Sequence, residues 1–348
     1  MKKKILIICL PFIAILFIFI YLTGMYALSG EFKKLIYMSN IEIIKKINIT
    51  GSEDIVIDKE NGIAFISSID RRLYLKNKKI KSAIYACFLN RDNCILNLTK
   101  DIDFDFKPHG ISLFRDEEGR LFIYVINHRD NVEYVEKFLY DADKLIHIKS
   151  FTGNLMISMN DLVVTDNDKF YFTNDHKNRS GLLRLLEDYF ILSESNACFF
   201  NGSESFIAAD NINYANGINI SLDGKKVYIT STLKKELRIY NRNIETNKLQ
   251  FDRNIKLKTG VDNIDVDSND NIWIGSHPKL LKLMSHSKDK NNKSPSQILK
   301  IYSNNYSVKN IYLNDGSEIS GLSVGAVYND IIVLGTIFDD TVYICRIK

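Results

Sequence analysis

Six copies of one short pattern, a polar pair followed by an aliphatic residue, constrain this chain more than anything else in it. They begin at Glu53-Asp54-Ile55, His109-Gly110-Ile111, Asn160-Asp161-Leu162, Asn216-Gly217-Ile218, Asp262-Asn263-Ile264 and Ser320-Gly321-Leu322, and recur every 46 to 58 residues. Each opens a short alternating run, as at 55–57 or 162–164, followed by a turn rich in Asp, Asn and Gly. A second apolar and aromatic run follows at 63–66, 170–173, 227–230 and 272–275. Asp-Gly and Asn-Gly steps between such runs are hairpin signals. Several strands per unit at a period of about 40–50 residues or more mark a β-propeller. The expected fold is therefore an all-β, six-bladed β-propeller. The run near 41–49 reads as a strand that completes the last blade, because an open sheet edge invites aggregation.

At 348 residues, with 45% hydrophobic and 25% charged content, the chain is an ordinary globular protein in composition. One closed ring at 31–348 is expected after an N-terminal segment at 1–30. The net charge is +4, and Lys2, Lys3 and Lys4 supply three of those charges, so no nucleic-acid partner is expected. Residues 5–28 are almost entirely apolar behind those lysines. That length spans a hydrocarbon core of about 30 Å as a transmembrane helix. The basic end stays cytoplasmic, which predicts a signal-anchor with the propeller outside the cytoplasm. A cleaved signal peptide and a secreted propeller is the alternative. Cys87, Cys94, Cys198 and Cys345 show no zinc spacing; Cys87 and Cys94 are the nearest pair in sequence. Apolar residues at helical spacing over 180–190 predict a short amphipathic helix between blades, either packed on the propeller or acting as a lid or membrane contact.

Equivalent positions of successive blades face one another across a central channel, so the polar pairs form a ring. Calcium takes six to eight oxygen ligands from carboxylates, amide carbonyls and water. Glu53, Asn160, Asn216, Asp262 and Asn263 offer oxygen donors, two of them anionic. Asp54 and Asp161 sit one residue further on and point the other way along the strand. With the carbonyl of Ile111 they suit a second ion, deeper and structural. Any one of these residues alone is an ordinary turn or strand-start residue; recurrence at one register argues for metal. His109 holds the same register in its own blade, and His128 ends the next strand within reach of it. Two neighbouring imidazoles act as base and proton shuttle near neutral pH. His176 and His277 read as structural, His147 and His286 as surface residues.

These residues resemble the paraoxonase/arylesterase family of calcium-dependent lactonases. The matching segments are GSEDIVID (51–58), GIAFISS (62–68), KPHGISLF (107–114), VINH (125–128), NDLVV (160–164), FTNDH (172–176), ANGINISLDGKKVYI (215–229), VDNIDVD (261–267) and IWIGSHP (272–278), in order along the chain. The resemblance implies a six-bladed propeller with two Ca2+ ions, one catalytic and one structural. It puts the catalytic ligands on Glu53, Asn160, Asn216, Asp262 and Asn263, the structural ones on Asp54, Asp161 and the Ile111 carbonyl, and a histidine dyad on His109 and His128. It further implies hydrolysis of small-molecule lactones and carboxylic (aryl) esters, and an N-terminal apolar segment that is often kept. The family joins its C-terminal cysteine to one near the N-terminus; Cys345 matches the first, but no cysteine lies between residues 10 and 86. Strand pairing alone is then expected to close the ring. Ser276 and Tyr214 replace a cysteine and a pocket phenylalanine. A calcium-stabilised propeller that binds a partner without catalysis is the alternative function.

Overall fold

A computed structural model describes residues 2–76, 78, 80–91, 95–129, 132–190 and 195–348, with side chains at 2–11, 185 and 188–190 outside the description. Six antiparallel sheets follow one another around a common axis. Blade 1 runs Ser52–Asp58, Ile63–Ile69, Ser82–Phe88 and Ile95–Asn97. Blade 2 runs Pro108–Arg115, Leu121–Arg129, Val132–Asp141 and Lys144–Phe151. Blade 3 runs Met159–Asp166, Lys169–Asn174, Ser195–Phe200 and Ser205–Ile212, and blade 4 Ala215–Ile220, Lys226–Ser231, Glu236–Arg242 and Leu249–Lys256. Blade 5 runs Gly260–Val266, Ile272–His277, Ser296–Ile301 and Val308–Asn314, with Met38–Ser39 added at its rim. Blade 6 runs Leu322–Tyr328, Ile331–Thr336 and Val342–Ile347, and takes its outer strand, Ile41–Ile47, from the N-terminal side. All six polar pairs lie at the start of an innermost strand or immediately before it.

The expected closure is present. Ile41–Ile47 pairs antiparallel with Val342–Ile347, placing Ile43 opposite Cys345. Cys345 is buried and free, as is Cys198, so main-chain bonds do the work that a disulfide would share. Cys94, the cysteine nearest Cys87 in sequence, falls outside the described residues. Apolar clusters fill the wedges between neighbouring blades; one joins Ile55, Ile57, Ile66 and Cys87 of blade 1 to Val324, Ala326 and Val342 of blade 6.

A ring of side-chain bonds joins the innermost strands. Asp54 Oδ2 accepts from the Ile111 amide at 2.9 Å, Ser112 Oγ from Val164 at 3.1 Å, and Asp161 Oδ2 from Ile218 at 2.8 Å. Asn219 Nδ2 donates to the Ile264 carbonyl at 2.8 Å, and Asp265 Oδ2 accepts from Val327 at 2.9 Å. Ser323 Oγ completes the circle by donating to the Glu53 carbonyl at 2.6 Å. Strands this close leave no room for side chains at every position. A Cβ on Gly217 would stand 2.6 Å from the Asp262 carbonyl oxygen and 2.8 Å from Asn263 Cα; Gly110 meets the backbone of Asn160 and Asp161 in the same way.

Among the described residues, four helices accompany the strands. The N-terminal apolar run is helical, α1 (Lys2–Leu28), but among the described residues no helix is long and apolar enough to cross a membrane. The fold itself therefore does not carry the expectation of a spanning helix. Just beyond α1, the Ser29 carbonyl accepts from Leu280 at 2.9 Å. Helix α2 (Arg71–Tyr74) and helix α4 (Leu280–Lys288) were not legible as helices in the strand pattern. The amphipathic helix expected between blades is present as α3 (Leu182–Phe190), but it lies within blade 3, between its second and third strands, with Leu182 and Leu183 exposed and Glu187 buried. Glu187 accepts from the Lys177 amide at 3.2 Å, which turns one acidic side chain inward. His286, expected at the surface, is fully buried; its Nε2 lies 2.9 Å from Asp339 Oδ1 and its Nδ1 2.9 Å from the Asn292 carbonyl. The polar run around it misled because α4 continues into it and folds His286 underneath.

Two stability predictions follow from these contacts. Gly217→Ala overpacks the blade 4–blade 5 seam and costs about 1–3 kcal/mol in chemical denaturation. Asp267 organises the turn between the first two strands of blade 5, accepting from Trp273 Nε1 at 2.9 Å and from the Asn269 and Asn271 amides at 2.9 Å. Burial opposes its charge, but these donors hold the carboxyl below its ordinary range. A depressed folded-state value stabilises the protein above the unfolded value, and that stability is lost as pH falls through the folded one. Asp267→Asn is therefore expected to cost about 2 kcal/mol at pH 7, with the difference from the parent vanishing in strongly acidic denaturation experiments.

Candidate functional site

The polar pairs converge because the innermost strands run side by side around the channel. Glu53 is 4% exposed although charged. Its Oε1 accepts from Asn263 Nδ2 at 3.0 Å, and the same amide donates to the Glu53 carbonyl at 2.9 Å, reaching from blade 5 to blade 1. Hydroxyls on the second strands brace the backbone behind the pairs: Thr173 donates to the Asn216 carbonyl at 2.6 Å and Thr230 to the Asp262 carbonyl at 2.8 Å. Asn216 Nδ2 is turned to Thr232 Oγ1 at 3.1 Å. This leaves its Oδ1 buried without a donor, and Asn160 Oδ1 and Glu53 Oε2 are buried without one too. Buried oxygens left unsatisfied are costly, and three of them among the five expected ligands of one ion suit a hard cation. Asp262 Oδ2 lies 2.6 Å from His277 Nε2. His277 is thus a support for a candidate ligand.

One level down, Asp54 and Asp161 each accept from two amides, that of the next residue on their own strand and that of the aliphatic residue after the following blade's polar pair. Burial and then the Glu53 charge push Asp54 well above the usual carboxylate range; burial and then Asp54 do the same to Asp161. Carboxylates crowded in this way favour a divalent cation between them. Ile111 meets Asp54 through its N–H. Among the described residues no group of three or more His, Cys, Asp or Glu gathers at one point; the upper set depends on amide oxygens, which suit calcium better than a softer metal.

The histidines come together as expected. His109 Nδ1 and His128 Nε2 are 2.8 Å apart, and His109 Nε2 lies 3.4 Å from Glu53 Oε2. His128 Nδ1 lies 2.6 Å from Glu133 Oε2. Burial, followed by the nearby Arg71 charge, lowers the His109 basicity and favours the neutral imidazole. For Glu53, burial works against ionisation, yet His109, Arg71 and the Asn263 amide bring it down to about 2. Two members of this group escaped the sequence reading. Glu133 starts the strand after His128 and faces it through cross-strand pairing; only the hairpin register reveals it. Arg71 Nη2, 3.4 Å from Glu53 Oε2, comes from a helix that no repeat announces. A cavity of about 990 Å³ opens beside His128 and Glu133, bounded by Tyr74, Lys78, Lys107 and Arg179.

His176, read as structural, is buried with its Nδ1 2.7 Å from Asp175 Oδ1, and its ring meets Tyr214 edge-on at 5.1 Å. His147 is exposed on the outer strand of blade 2, against Glu136 at 2.9 Å.

A sequence model of the Arylesterase family matches residues 33–347. Serum paraoxonase/arylesterase 1 of Homo sapiens is 33% identical over 319 residues, covering 88% of each chain. Serum paraoxonase/arylesterase 2 of Gallus gallus is 34% identical over 323 residues with the same coverage. Among solved structures, a gluconolactonase from Xanthomonas campestris superposes with a TM-score of 0.55 at 14% identity, over 86% of this chain and 87% of its own, a likeness of fold. The match across nearly the whole propeller, together with the six-bladed ring, makes this chain a member of the arylesterase (paraoxonase) family.

Proposed function

We propose that the protein is a calcium-dependent hydrolase of lactones and carboxylic (aryl) esters. Family membership supports hydrolysis, and the observation that carries the calcium reading is the trio of buried, donorless oxygens on Glu53, Asn160 and Asn216. Glu53, Asn160, Asn216, Asp262 and Asn263 would hold the catalytic ion, and Asp54 and Asp161, beside Ile111, the structural one. When bound, the upper ion supplies Lewis-acid polarisation of the substrate carbonyl.

The chain's own groups then handle the proton. His109 Nε2 faces the ring and takes a proton from the attacking water. Its Nδ1 proton passes along the 2.8 Å contact to His128 Nε2. Glu133, 2.6 Å from His128 Nδ1, orients that ring and balances the charge it acquires. Low basicity at His109 keeps it ready to accept at neutral pH. Collapse of the addition product returns the proton to the departing alkoxide, which leaves a hydroxy acid from a lactone or an acid and an alcohol from an ester. The same reading places the propeller outside the cytoplasm, supported by Lys2, Lys3 and Lys4 ahead of the apolar run; a secreted form would show a new N-terminus near residue 30 in N-terminal sequencing.

Three results are expected. Chelation abolishes lactone turnover by the purified full-length protein, and added Ca2+ restores it. Glu53→Gln weakens calcium affinity, read by calorimetry, by about 100-fold. His109→Gln retains calcium affinity and lowers kcat/KM by about 100-fold or more. A folded, calcium-loaded sample that turns over neither lactones nor aryl esters would instead support a binding propeller.

A further inference from the structure

Two adjacent arginines open α2, and they are used very differently. Asp70 caps the helix by accepting from the Leu73 amide at 2.9 Å. Arg72 is fully engaged: Nη1 donates to the Phe338 carbonyl at 2.5 Å, Nη2 to the His286 carbonyl and Asp339 Oδ1 at 3.2 Å each, and Nε to the His286 carbonyl at 3.3 Å. These bonds tie α2 to α4 and to the last loop of blade 6. Arg71 points the other way, with its side chain only 14% exposed. Its Nε and Nη2 are buried and have no hydrogen-bond acceptor among the described residues. The Glu53 oxygen 3.4 Å from Nη2 is likewise without a donor, so proximity supplies charge compensation without a hydrogen bond.

A buried guanidinium with two unmatched donors is costly to keep, and the Arg72 clamp prevents α2 from swinging it out to water. Nε and Nη2 form one edge of the guanidinium fork, the edge that matches the two oxygens of a planar carboxylate. Whatever occupies that edge lies beside Glu53, whose Oε2 is also 3.4 Å from the base, His109 Nε2. The cavity beside His128 is lined by Lys78, Lys107 and Arg179 against Asp105 and Glu133. We propose that Arg71 is a specificity-determining residue that selects substrates carrying a carboxylate close to the scissile carbonyl. This rests on the hydrolase reading above for the word substrate; the carboxylate site itself does not.

The test is equilibrium binding to the full-length, calcium-saturated protein, with 3-oxocyclopentane-1-carboxylate as a non-hydrolysable probe and 3-oxocyclopentane-1-carboxamide, which carries no ester bond, as the neutral control. The carboxylate should bind about 10- to 100-fold more tightly than the amide. Arg71→Met should abolish that preference, and Arg71→Lys, which keeps the charge and loses the fork, should retain only part of it. No preference in the parent protein overturns the proposal without recourse to any variant. A preference that survives Arg71→Met also overturns it, since the carboxylate would then be held by the ion alone. Lactone turnover is measured alongside on γ-butyrolactone and its ring-carboxylated derivative. Arg71-dependent binding without turnover of either would sink the hydrolase reading and leave the carboxylate site standing; turnover without carboxylate preference would do the reverse.

Discussion

Everything in this propeller depends on the ring of side-chain bonds that ties each innermost strand to the next. Asp54, Ser112, Asp161, Asn219, Asp265 and Ser323 each bridge one seam. Apolar wedges hold the blades together, but apolar contact is non-directional and does not set the axial register of one sheet against another. A hydrogen bond to a particular amide does. Because the bridging side chains lie within three residues of the polar pairs, the register that closes the ring is the same register that gathers the candidate ligands.

Close approach has a second consequence. Gly110 and Gly217 stand where a Cβ would collide with the neighbouring strand, and both alternate with the larger Asp54 and Asp161. Blades 1 and 3 thus supply carboxylates to the channel while blades 2 and 4 supply space. Lys59 reaches across below to Asp265 and the Val266 carbonyl, placing a cation at the level where the acidic lining would otherwise repel itself. The channel is graded, with amides and carboxylates above, a carboxylate pair beneath, and an ion pair below that.

How much of the site was legible depended on whether a residue took part in the repeat. Glu53, Asn160, Asn216 and Asp262 share one register, with Asn263 the second member of its pair, so periodicity pointed them at a common axis, and His109 was found by the same logic. Glu133 and Arg71 carry no periodic mark. One acts through hairpin register, the other through a short helix held by Arg72, His286 and Asp339 from distant parts of the chain. His286 was misread for the same reason: its sequence neighbours are polar, and its burial is decided by α4 and Asp339.

The sequence by itself determined the number of blades, the strand that closes the last one, the oxygen-donor ring and the histidine pair. These follow from local alternation and from a repeat, which require no knowledge of distant contacts. Tertiary structure alone decided which oxygens are left without donors, which carboxylates crowd each other, and where the two arginines of α2 spend their charge. Those properties are set by what lies opposite a side chain once the ring has closed, and nearly all of those partners come from another blade.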